Sequence, residues 1–331
     1  MSQARTDKRS GWWPMIKLLP VKTNLRFMRY AKAFGAVSLL ATLISVFLTV
    51  WPLTPPCGGL NCGVDFKGGT VLELKTQQPA DLGLIRSTLT GRGLGDVQVQ
   101  AFGSPNDVLV RFEPPEGVNG AQAVGTAKQA LVQALGPVTF SRTEVVGPKV
   151  SDELFRNGLL ALVLGIAMMM AYIWFRFGLT FGIGAAVALL HDVLLTFGLF
   201  AVTGMEFTLT AVAAILTVIG YSVNDTVVVL DRIRENLRKY KRMPLSEVID
   251  LSINETLSRT AITGVTGIMA LTGLAVFGGE ALFGFSVAMI FGIVVGTYSS
   301  FLIAAPVLLL LGVRRNDDDV TVIQPPKPAR L

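Results

Sequence analysis

The sequence predicts an α-helical polytopic membrane protein of six spans that carries an α+β, ferredoxin-like periplasmic domain. Three observations lead there. The 331 residues are 51% hydrophobic and 16% charged, against about 25% charged in ordinary soluble domains. Uncharged runs long enough to cross a bilayer, roughly 17–25 residues, recur along the chain. Between the first run and the second, residues 52–156 alternate between strand-like and helix-like patterns.

Taken in order, residues 1–32 form a basic arm. Within it, GWWPMIKLLPVKTNLRFMRYAK mixes Trp, Leu and Lys/Arg in the manner of a segment lying in the inner interface. Residues 33–52 are the first span. A basic start and an apolar core resemble a signal peptide, but no A-x-A site follows and the chain continues WPLTPPCGG. The expected role is therefore an uncleaved anchor.

Residues 53–155 read as one domain. TVLELKT (70–76), DVQVQAF (96–102), DVLVRFE (107–113) and VTFSRTEVV (138–146) alternate as strands, with a GSPN turn between the middle two. LGLIRSTLTGRG (82–93) and GAQAVGTAKQALVQALG (120–136) read as helices closed by glycine. The order β-α-β-β-α-β is that of a ferredoxin-like split unit. No paired carboxylates, Ser-His-Asp set or glycine-rich phosphate cradle occurs here, so the domain reads as a binding or docking module.

Residues 156–313 supply five further spans, with a cytoplasmic segment at 231–258, and residues 314–331 are a tail. Two of these spans are interrupted, one by His191 and Asp192, the other by Asp225. DRIRENLRKYKR (231–242) reads as a solvated amphipathic helix along the inner surface. Small or polar residues recur at spacings of three and four in three spans: Thr210, Ala213, Thr217, Gly220 and Asn224; Arg259, Thr263, Thr266, Ala270 and Gly273; and Gly284, Ala288, Gly292, Gly296 and Ser299. Such rows let helices approach closely.

Basic residues orient the chain. The arm, the 176–181 turn, the 231–259 segment and the tail hold eight, one, seven and four Lys/Arg, which is 20 of the 29. By the positive-inside rule both termini and the 231–259 segment are cytoplasmic and residues 53–155 lie outside, which in a plasma membrane of the Gram-negative inner-membrane kind is the periplasm. The net charge of +6 thus follows membrane topology and implies no nucleic-acid partner.

Asp225 is the sharpest candidate. Eighteen uncharged residues precede it and five follow, and a carboxylate within a span is costly by roughly 2.5–3.5 kcal/mol on insertion scales. Such a residue marks a proton or ion route, or serves as a structural carboxylate bonded with Asn224 between helices. Arg259, at the start of the fifth span, is its counter-charge: a guanidinium near a carboxylate favours the ionised form, so movement between them gates protonation. The lone histidine, His191, with Asp192 either extends that route or makes an interhelical hydrogen bond. Glu206 sits at the outer interface and needs no function. Cys57 and Cys62 follow the first span, where an oxidising compartment permits a short-loop disulfide; two separate thiols are the other reading. There is no G-x-x-x-x-G-K-[ST], no H-E-x-x-H and no G-x-S-x-G, so neither an enzyme nor a bound cofactor or metal is expected.

GVDFKGGT (63–70), VVGPKVSDELFRNG (145–158), HDV (191–193), GYSVNDTVVVLDRIRENL (220–237) and LSRTAITG (257–264), with the LLPVKTNLRFMRYAK entry (18–32), together resemble the SecD/SecF family of protein-export membrane proteins, within the resistance-nodulation-division superfamily. The resemblance runs along nearly the whole chain. It implies pairing with a six-span SecD and assistance to the SecYEG channel, with YajC and YidC as further partners. It also implies use of the proton motive force to draw exported polypeptides outward late in export. The family's proton-linked aspartate falls on Asp225 and its following arginine on Arg259, and a complete proton route needs the SecD half. Two other readings compete: a half-size exporter of small molecules or lipids from the same superfamily, and a purely structural assembly subunit. A membrane-embedded enzyme is remoter for want of a catalytic set.

Overall fold

The computed structural model describes residues 23–53, 57–95, 97–102, 104–114 and 118–313. Residues 11–22 of the interfacial reading (11–32) and the tail 314–331 lie outside these residues, and from Phe27 onward that segment is already part of the first long helix. In chain order the elements are α1 (Phe27–Val50), α2 (Val64–Lys67), β1 (Gly69–Lys75), α3 (Leu82–Thr90), β2 (Val97–Phe102), β3 (Ser104–Phe112), α4 (Gly120–Leu135), β4 (Thr139–Val146), α5 (Pro148–Phe177), α6 (Leu179–Thr203), α7 (Leu209–Lys239), α8 (Leu245–Phe277) and α9 (Glu280–Ser299). A π-helical turn (Ser300–Ala304) then leads into α10 (Ala305–Leu311). Among the described residues six helical stretches are long and apolar enough to cross a membrane: α1, α5, α6, α7, α8 and Leu282–Leu311.

The four strands form one antiparallel sheet in the order β2-β3-β1-β4, with α3 and α4 in the expected places between them. Alternation decides what each face holds. Leu72 and Leu74 of β1, Val108 and Val110 of β3 and Val97 and Val99 of β2 meet Ile85, Leu89, Ala127 and Leu131 of the two helices in one core. Burying each large aliphatic side chain there contributes about 1.5–3 kcal/mol. The helices begin where short polar side chains can cap them. Asp81 accepts from the N–H groups of Gly83 and Leu84, and Asn119 accepts from Ala121 N–H.

In the bundle, α6, α7 and the last span are the buried centre, while α1, α5 and α8 present large apolar side chains outward. Glycine permits a close crossing of α7 and α9. A Cβ on Gly292 of α9 would run into the Val218 side chain of α7, and one on Gly296 would lie 2.8 Å from Ser222 Cβ. The α9 row of small residues is therefore a packing seam. Gly292→Val is expected to destabilise the bundle by about 1–3 kcal/mol through overpacking. Gly273→Val, where a Cβ meets nothing within 4 Å, should leave it near wild type, and thermal melts in detergent compare the two.

The α7 row behaves differently. Thr210, Ala213, Thr217, Gly220 and Asn224 are all exposed, whereas Asp225 is buried. Adjacent helical residues point about 100° apart, so the small row and the carboxylate lie on different faces. Residues 231–239 also differ from expectation. They are not a separate surface helix but the continuation of α7. No glycine or proline interrupts the chain between Gly220 and Pro244. The inner row continues through buried Ile233, Asn236 and Leu237, and Asn236 donates to Ser252 Oγ (3.0 Å) and Glu255 Oε2 (2.7 Å) of α8.

Candidate functional site

Among the described residues two carboxylates lie buried inside the bundle, and their surroundings are opposite. Asp225 of α7 is 3% exposed. Its Oδ2 has no hydrogen-bond partner, and neither has the Thr297 hydroxyl of α9. Thr297 faces the carboxylate without closing a bond of ordinary geometry, and the Arg259 guanidinium acts on it from α8 by charge. Asp225 and Arg259 do not form an ion pair within 4 Å, and Arg259 is exposed. One turn back, the Tyr221 hydroxyl donates to the main-chain oxygen of Thr263 at 2.6 Å and ties α7 to α8 beside them. An underbonded carboxylate with a cation in reach can change protonation state by a small helix displacement.

Asp192 of α6 is fully buried and fully bonded. Its Oδ1 lies 2.9 Å from His191 Nδ1, and its Oδ2 accepts from Ser222 Oγ of α7 (2.5 Å) and Ser299 Oγ of α9 (2.8 Å). His191 rests against the Tyr298 ring, centroids 5.7 Å apart, with its Nε2 buried and unpartnered. Asn224, read from the sequence as the hydrogen-bonding neighbour of Asp225 and, with His191 and Asp192, as an accessory of its proton route, lies on the exposed face instead.

The sheet domain is fastened to the N-terminal end of α7. Cys57 and Cys62 are joined by a disulfide. Just after it the chain runs beside the α6–α7 link: Gly63 N–H donates to Phe207 O (3.0 Å), and Phe207 N–H donates to Asn61 O (2.8 Å). Thr208, at the start of α7, makes no side-chain cap. Asp65 of α2 supplies one, accepting from Leu209 N–H at 2.9 Å. Glu206 is bound by Arg111 Nη2 of β3 at 2.5 Å, with Arg142 of β4 at 3.9 Å. Arg142 also pairs with Glu73 (3.0 Å) and Glu144 (2.7 Å). Burial opposes the Arg142 charge, but its bonds to Glu144 and Glu73 outweigh that and raise its pKa further.

Sequence reading set Glu206 aside and did not single out Asp65, Arg111 or Arg142. A signal for the last two was present. In β1, β3 and β4 the residues Glu73, Arg111 and Arg142 sit on the sheet face opposite the helix-covered core, at register positions that bring them together: Val71 pairs with Arg111, and Glu73 with Arg142. No such signal marked Asp65, whose partner is 144 residues away.

The model of the SecD/SecF C-terminal protein-export membrane region matches residues 127–314, and that of the SecD/SecF GG motif matches 59–80. A protein translocase subunit SecF of Rhodobacter capsulatus is 43% identical over 317 residues, covering 92% of this chain and 93% of that one. The chain belongs to the SecD/SecF protein-export family. A SecF subunit of Rickettsia felis is 42% identical over 92% of this chain and 97% of its own. Among solved structures, the crystal structure of SecDF, a translocon-associated membrane protein from Thermus, superposes with a TM-score of 0.79 at 31% identity. A super-membrane-facing form of SecDF gives 0.64, also at 31%. These pairings cover 90% and 89% of this chain, but the chain spans only 40% of the length of either SecDF chain.

The SecD/SecF GG motif has a physical basis here. Gly68 and Gly69 have φ of +77° and +102°, the region that favours glycine. A Cβ at Gly69 would also lie 3.2 Å from Phe112 O. That turn swings α2 back under the sheet, which is what brings Asp65 to the end of α7. The family's export region and its GG motif therefore meet at the cap of α7.

Proposed function

We propose that this chain is the SecF-type half of an accessory motor of the Sec translocase. It pairs with a SecD-type half and uses the proton motive force to promote the late export of polypeptides through SecYEG, with YajC and YidC as further partners. The observation that carries the reading is the placement of Asp225: an underbonded carboxylate inside the bundle, on the same helix whose outer end holds the sheet domain. In this reading Asp225 takes up and releases the proton and Arg259 modulates it. Helix α7 passes the resulting displacement to the domain that meets the exported chain. The work is mechanical, so no covalent step, cofactor or metal is invoked. Both termini and residues 231–258 lie in the cytoplasm and residues 53–155 in the periplasm of the inner membrane, in keeping with the distribution of Lys and Arg.

The SecD half docks on the exposed row of α7, where Thr210, Ala213, Thr217, Gly220 and Asn224 leave a smooth face beside Asp225. Small residues are what a close helix crossing in lipid requires. Gly220→Leu, a position with nothing within 4 Å inside the chain, should insert at wild-type level. It should lose most of the co-purifying SecD, along with the gradient-dependent part of export in inverted membrane vesicles. Retention of both would remove this docking surface, and a chain that co-purifies no SecD at all, even as wild type, would end the accessory-motor reading.

A further inference from the structure

We propose that Asp192 is a positioning residue: with Ser222 and Ser299 it holds α6, α7 and α9 in the one register that sets Asp225 against Thr297. The inference rests on the reading of Asp225 as the protonatable group and adds what holds that group in place.

The geometry is a clamp with two jaws. Ser222 lies one turn before Asp225 on α7, and Thr226 is the residue after it. Ser222 donates to Asp192 Oδ2, which also accepts from Ser299 of the last span. Thr226 bonds the next residue of that span, Ser300, at 2.9 Å. Two points on α7, one on each side of Asp225, are thus stitched to two consecutive residues of the neighbouring span. Thr297, which faces Asp225, lies just before those two residues in the same span. The close approach of Gly296 to Ser222 keeps the two helices in tight contact at this point.

The last span is shaped for this. Pro306 has no N–H for the i→i−4 bond, and a π-helical turn at Ser300–Ala304 precedes it. Ser299 and Ser300 stand at the mouth of that widened turn and serve different helices, Ser299 reaching α6 through Asp192 and Ser300 reaching α7. Asp192 is itself held on its second oxygen by His191, while Thr196 donates to its main-chain oxygen at 2.7 Å. Both oxygens of Asp192 are in use, whereas one oxygen of Asp225 is free to change partners. That contrast assigns the fixed role to the first and the changing role to the second.

The test reads Asp225 itself, without export. The full chain, in membranes with its SecD partner, is treated with a hydrophobic carbodiimide across a pH series. Modification of Asp225 is then followed by mass spectrometry after digestion. The groups that act on Asp225 by charge are Arg259 from α8 and Tyr221 on its own helix, while His191, Asp192 and Tyr298 cluster with one another where Ser222 and Ser299 meet Asp192; only the Asp192 clamp is altered. Asp192→Asn and the pair Ser222→Ala/Ser299→Ala should each displace the pH midpoint of Asp225 modification by roughly half a unit or more. Ser286→Ala, a buried α9 serine bonded only to its own helix at Leu282 O, should keep the wild-type profile. An unchanged midpoint in the serine pair overturns the clamp, whether or not Asp192→Asn inserts. So does an equal displacement in Ser286→Ala, which would mean general loosening. Because export is not the readout, the clamp can stand even if Asp225 drives no export, and can fall even if it does.

Discussion

Asp225→Asn is expected to insert, to assemble with SecD, and to lose the whole gradient-dependent part of export while leaving the gradient-independent part intact. The amide has nearly the shape of the carboxylate and makes no new demand on Thr297, so the bundle has no reason to reject it. Removing the charge can only lower the insertion cost of the span, by part of the roughly 2.5–3.5 kcal/mol that an aspartate carries at a helix centre, since the amide is itself polar. What the amide cannot do is exchange a proton or respond to Arg259. Export into inverted vesicles, with and without a proton gradient and at matched protein levels, separates the two contributions. Equal gradient responses in wild type and variant would make the carboxylate structural and move the motor to the partner. Loss of the whole complex would make it glue between helices.

Glu206→Ala, combined with Asp65→Ala, is expected to release the sheet domain from α7 while leaving Asp225 untouched. The first change removes the acid between Arg111 and Arg142, where a hydrogen bond to a charged group contributes about 1.5–3 kcal/mol. The second removes the cap on Leu209, worth about 1 kcal/mol at a helix start. The domain keeps its own core of Leu72, Leu74, Ile85, Leu89 and Leu131, so it stays folded. Amide exchange at Gly63 and Phe207, whose N–H groups close the two bonds across the junction, should accelerate by tenfold or more. Gradient-driven export should fall toward the level of Asp225→Asn. Fast exchange with normal export would show that motion reaches the domain by another path.

Which parts of this were legible in the sequence follows from the range of the interactions involved. The spans are local: an uncharged run such as Asn157–Phe175 announces itself without reference to anything else. So is the split β-α-β-β-α-β order, because alternation in TVLELKT and DVLVRFE is a property of each segment alone. Asp225 was legible for the same reason, as a charge in an apolar run. Direction was not. Asn224 and Asp225 are neighbours in the chain and occupy different helix faces, and only the packing against α9 decides which one is inside. The bonds of Asp192 join residues 30 and 107 positions apart, and no periodicity encodes such a pair. Pro306, which lacks the N–H a helix needs, was passed over in the sequence, and nothing local to it says that Ser299 and Ser300 would use the widened turn before it. The four-residue helix α2 is too short for any pattern to mark, although it carries the residue that caps α7.

The continuity of α7 has a mechanical meaning. From Leu209 to Asp225 the helix runs without a break, a distance of about 24 Å at 1.5 Å per residue. A stiff rod of that length magnifies what happens at its inner point. A tilt of roughly 5° about Asp225 sweeps the outer end sideways by about 2 Å, by simple leverage on that length. Asp65, Arg111 and Gly63, which grip Leu209, Glu206 and Phe207 at that end, would carry the whole sheet domain with it. A kinked or glycine-broken helix would dissipate such a tilt within a turn or two; an unbroken one delivers it to the far side of the membrane.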